Sequence, residues 1–117
     1  MTMPNTTSYK FGQIVLVRFP FTNQHGSKQR PAVVISSAAY NQARPDIILM
    51  AVTSQVRKMT GFGDAVIEGW QTAGLLKPSA IKPIVFTAEK SIIRKVLGNL
   101  ADKDRDSLVA VIDSVIG

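Results

Sequence analysis

The chain of 117 residues contains no cysteine and a single histidine, His25. The first absence excludes disulfides and thiolate metal sites. With one imidazole left, a dedicated transition-metal site is not expected. No apolar run approaches the length of a membrane span. The opening MTMPNTTSYK lacks the apolar core of a secretory signal, so a cytoplasmic protein is expected. A glycine-rich P-loop, a dinucleotide fingerprint and HExxH are all missing. Carboxylates at helical spacing occur only as Asp102 and Asp106, at the start of a helical pattern where capping and the helix dipole account for them. Any chemistry is therefore expected to run without a metal or a cofactor.

Acidic residues are scarce as well: eight Asp and Glu stand against fourteen Lys and Arg, a net charge of +6. From residue 102 onward two cations face four aspartates, a local −2, so residues 1–101 carry +8. A basic body fits an anionic partner such as a nucleic acid. It also fits a small protein kept soluble by its charge.

What is present is mostly strand. GQIVLVRFPF, residues 12–21, alternates Ile14 and Leu16 against Val15, Val17 and Phe19, and Pro20 is expected to end it. TNQHGSKQR, residues 22–30, reads as a polar loop, and PAVVIS as a strand buried on both faces. SAAYNQ suits one helical turn capped by Ser36 or Ser37, and DIILMAVTS is a third strand. RKMTGFGD is a second loop, followed by a short strand, AVIE. A turn is expected near residues 71–74, then strand pieces at 79–82 and 84–87, with Pro78 and Pro83 pointing to edges or a break. IIRKVLGNL adds another strand. From Asp102, placed as the cap, Leu108, Val111, Ile112 and Val115 recur at the spacing of a helix. The fold expected is mainly β with a C-terminal helix: a small, strongly curved antiparallel sheet or barrel. With no repeat or linker, residues 1–117 are expected to form one domain, with residues 1–10 expected as a flexible lead.

Arg30 stands where a loop meets an apolar strand. Its guanidinium suits bidentate recognition of phosphate, or else a solvated cation or salt bridge. Thr53 and Ser54 end the third strand, where hydroxyls bind a phosphate or simply cap a turn. His25 is the one side chain with an ordinary pKa suited to proton transfer near neutrality, although loop histidines commonly have no such role. Lys28, Arg57, Lys58, Lys77, Lys82 and Lys90 form a basic groove if their loops converge. Phe21, Phe62 and Trp70 lie near those loops. Phe62, between two glycines, reads as exposed, and Trp70 as a satellite of the core.

The order GQIVLVRFPFT, RPAVVIS, IILMAVTSQ and GLLKPSAIK…FTAEKSIIRKVLGNL resembles the MazF/PemK (Kid) family of toxin endoribonucleases over nearly the whole chain. The resemblance implies an SH3-like, MazF/PemK/CcdB-like barrel, a homodimer, and metal-independent cleavage of single-stranded RNA at short sequences. It also implies inhibition by a cognate antitoxin and binding of operator DNA together with that antitoxin. Carried onto this sequence, it makes Arg30, Thr53 and His25 catalytic. Lys28, Gln29, Ser54, Arg57, Lys58, Phe62, Ser79 and Lys82 are then expected along the RNA. Some PemK-type members place an arginine and an aspartate on the strand before the TAEK block. Here Ile81 and Pro83 stand at those positions, and neither transfers a proton. The alternative is a non-catalytic nucleic-acid-binding module, or a toxin of this fold with another target such as gyrase.

Overall fold

The computed structural model describes residues 8–23, 26–56 and 61–117. Six strands form one antiparallel sheet: β1 (Gln13–Asn23), β2 (Gly26–Val34), β3 (Asp46–Thr53), β4 (Ala65–Ile67), β5 (Ser79–Glu89) and β6 (Ile93–Asn99). Their order across the sheet is β4-β5-β3-β2-β1-β6. A short helix, α1 (Ala38–Ala43), links β2 to β3, and α2 (Asp102–Ile116) ends the chain. The curled half-barrel with a C-terminal helix agrees with the expected fold class.

Both faces of the sheet are covered, as the apolar strands require. On one face Ile14, Val33, Met50, Val52, Ile67 and Ile81 pack with Leu108 and Val111 of α2. On the other, Val15, Val17, Ala32, Val34, Ile47 and Leu49 pack with Ala88 and Ile93. The alternation read in β1 thus separates two cores rather than a core from solvent. Trp70 packs against the first core, as expected.

Several expected boundaries are corrected. The segment expected as a loop at residues 22–30 is largely strand: β1 runs through Pro20 to Asn23, and β2 begins at Gly26. Regular pairing breaks between Phe19 and Asn23, so Pro20 sits where the ladder is irregular and its missing N–H costs little. Pro83 does not split β5. The pairing Val52↔Ile81 is followed by Met50↔Val85, so four residues of β5 span two of β3 and the proline lies inside the bulge. Asp102 is not the cap of α2; Ala101 holds that position, and Asp102 is the first helical residue.

Ser37 caps α1, its hydroxyl accepting from the backbone N–H of Tyr40. The Tyr40 hydroxyl donates to Asp46 at 2.9 Å, and Arg44 pairs with the same carboxylate at 3.1 Å. The hydrogen bond from Tyr40, reinforced by Arg44, holds the Asp46 carboxyl below the usual carboxylate range. This cluster fixes the start of β3, the strand that carries Thr53 at its other end.

Candidate active site

Arg30 lies within β2, opposite Val17, rather than at the end of a loop. The ladder between β2 and β3 pairs Ala32 with Ala51 and Val33 with Met50. Continued by two residues, that register sets Arg30 across from Thr53, and Thr53 itself pairs with Ala80 of β5. By strand alternation Arg30 and Thr53 fall on one face, while Gln29, Pro31, Val52 and Ser54 fall on the other. Both sets reach the wall of one cleft, of about 540 Å³, at this end of the sheet.

The cleft brings together four of the expected side chains, Arg30, Thr53, Gln29 and Ser54, and a fifth, Ser79. Arg30, Gln29 and Ser54 are exposed, and Thr53 is half-buried. The Thr53 hydroxyl accepts from the backbone N–H of Gln55 at 3.1 Å, the turn-capping role foreseen as its alternative. That bond occupies one lone pair; the hydroxyl proton is still available for a ligand. Ser79 is buried, and its hydroxyl donates to the carbonyl of Lys77 at 2.8 Å. Its direct role is to shape the segment entering β5.

Lys28, Phe62 and Lys82 do not line this cleft. Lys28 is exposed on β2 opposite Phe19, and Lys82 is half-buried in the β5 bulge. Phe62 is 80 % exposed, as its place between two glycines suggested. His25, Arg57 and Lys58 lie outside the described residues.

Sequence reasoning missed part of the lining: Leu16, Leu76 and Leu97, and above all Lys95. Lys95 pairs with Leu16, which pairs in turn with Pro31. Only the pairing of β6 beside β1 brings it near Arg30, and no local pattern in the sequence signals that neighbour. The segment at residues 74–77 reaches the cleft by a close crossing over β6. Gly74 has φ +82°, and a Cβ there would stand 2.1 Å from the carbonyl oxygen of Leu97. The glycine is required both for its backbone conformation and for the approach.

The described lining holds three cations, Arg30, Lys77 and Lys95, and no carboxylate. Among the described residues, no three His, Cys, Asp or Glu side chains converge as metal ligands would. Nor, among them, is any helix long and apolar enough to cross a membrane. A cationic, acid-free cleft bounded by hydroxyls suits an anion with hydrogen-bonding neighbours, such as a phosphodiester.

Comparison with solved structures agrees with the fold. MazF from Deinococcus radiodurans superposes with a TM-score of 0.73 at 19 % identity, over 95 % of this chain and 98 % of that one. An endoribonuclease from a mycobacterial species, solved in complex with its cognate antitoxin, gives 0.70 at 13 % identity over 96 % of both chains. The Mycobacterium tuberculosis toxin MazF-mt6 gives 0.69 at 14 % identity, over 89 % of this chain and 95 % of that one. No curated protein matches by sequence. The family model for PemK-like, MazF-like toxins matches residues 10–116, a span from the lead into β1 to the last residue of α2. That span takes in every strand and the whole described cleft, and by it the chain belongs to the PemK-like, MazF-like toxins of type II toxin–antitoxin systems.

Proposed function

We propose that this single toxin domain is a sequence-specific endoribonuclease acting on single-stranded RNA, held in check by a cognate antitoxin. The observation that carries the reading is the meeting of Arg30 and Thr53 in one acid-free cleft of a chain from this family. In the reaction, a ribose 2′-hydroxyl attacks the adjacent phosphorus. The new bond joins that oxygen to phosphorus, and the bond to the 5′-oxygen breaks. A 2′,3′-cyclic phosphate and a 5′-hydroxyl result. One proton leaves the nucleophile and one reaches the departing oxygen.

Arg30 stabilises the charge that builds on the phosphoryl oxygens. A guanidinium holds its proton throughout the reaction and so cannot serve as the base. Thr53 donates its hydroxyl proton to a phosphate oxygen while its lone pair holds the Gln55 turn. His25, which stands in the sequence between β1 and β2, is proposed to take part in proton transfer. Ile81 is a buried core residue of β5, in keeping with a branch that does not use a proton-transferring side chain there. The assembled toxin is proposed as a homodimer that also meets operator DNA in company with its antitoxin.

The test is cleavage of a mixed-sequence RNA in EDTA by wild type and by Arg30→Ala, Thr53→Val and His25→Ala. Discrete cuts ending in cyclic phosphate are expected, with Arg30→Ala slowing cleavage about 10²–10³-fold. His25→Ala is expected to slow it about 10²-fold. Salt-sensitive RNA binding without cleavage would replace this reading with the non-catalytic module.

A further inference from the structure

The reaction at one phosphate uses one guanidinium, yet the cleft presents two further cations. Lys95 lies on β6, facing Leu16 of β1. Lys77 lies two residues before β5, whose second residue, Ala80, pairs with Thr53. In the sheet order β5-β3-β2-β1-β6, the strand bearing Arg30 is in the middle. Lys95 is therefore two strands away on one flank, roughly 10 Å across the ladder, and Lys77 lies on the other flank.

Both lysines are exposed. The ion pairs of the described residues engage Arg44 and Lys103, and neither of these two. No carboxylate in the described lining competes for them. An ammonium held at the rim of such a cleft is a point charge free to meet an external anion. A nucleic-acid strand offers one at every residue.

Resting on the reading above, we propose that Lys77 and Lys95 bind backbone phosphates flanking the one at Arg30. The three cations then clamp a run of single strand across the sheet end. Arg30 acts on the reacting phosphate, and the lysines hold the strand in place without reading its bases.

The test is equilibrium binding of a random-sequence pool of 2′-O-methyl RNA, which lacks the nucleophile, across a salt series. Lys77→Gln, Lys95→Gln and the double variant are compared with wild type. Lys10→Gln, an exposed cation outside the cleft, controls for net charge. Each cleft substitution is expected to flatten the slope of log affinity against log salt by about 0.7, and the pair by about twice that. Lys10→Gln keeps the wild-type slope. Wild-type slopes in all the cleft variants, or an equal loss in Lys10→Gln, would overturn the clamp and leave the ribonuclease reading standing. Failure of wild type to bind the pool at any salt concentration would overturn both.

Discussion

Gly98 of β6 and Gly74 of the crossing segment touch backbone to backbone. A Cβ on Gly98 would stand 2.6 Å from the carbonyl oxygen of Ala73. The obstacle is main chain, which cannot swing aside as a side-chain tip can. Gly98→Ala is therefore expected to cost about 2–3 kcal/mol and to lower Tm by ~10 °C in a melt followed by circular dichroism. An unchanged Tm would mean that the crossing is loose. At this scale the sequence revealed residues whose chemistry is local. Arg30 before a proline and Thr53 at a strand end were legible because position along the chain already set them apart. Lys95 was not, since its place in the cleft depends on strand pairing, and Ser79 proved to be a buried donor to its own segment.

Helix α2 does more than cover apolar surface. Asp104, 1 % exposed, accepts from the backbone N–H groups of Glu68 and Gly69 at 2.9 and 2.7 Å. It thereby ties the helix to the turn that leads into the cleft wall. Gly69 leaves room for it, since a Cβ there would come within 3.1 Å of the carboxylate. Asp104→Ala leaves two N–H groups without partners and is expected to cost about 3 kcal/mol by denaturant titration. Asp104→Asn keeps one acceptor and should fall between the two; equal stability of all three would remove the tie. The sequence carries no sign of this tie, because a bond across 35 residues leaves no local mark. The periodicity of Leu108 and Val111, by contrast, was sufficient to fix the buried face. Both proline errors had one cause: Pro20 and Pro83 were weighed against an ideal ladder, and each sits where the ladder is irregular.

For the whole molecule, the strand-rich, curled architecture with a terminal helix was readable from apolar runs and turns. The strand order was not, because it follows from pairings distant in sequence. β4 and β5 leave Val66, Ile84 and Val85 exposed at 56 %, 50 % and 42 %. Burial of such side chains favours the proposed homodimer. Sedimentation is expected to give twice the 12.7 kDa chain mass, and a single-chain mass at working concentration would count against it. The bulge in β5 decides how much change of length the sheet can absorb. Its excess over β3 is two residues, an even step, so Ile81 and Val52 share one face while Ala88 and Ile47 share the other. The end of the sheet that bears the cleft is thereby offset by two residues from the end anchored at Asp46, without a change of face. A pair of residues added or removed at this seam would keep inside and outside in phase, so both cores can stay intact while the length of β5 changes.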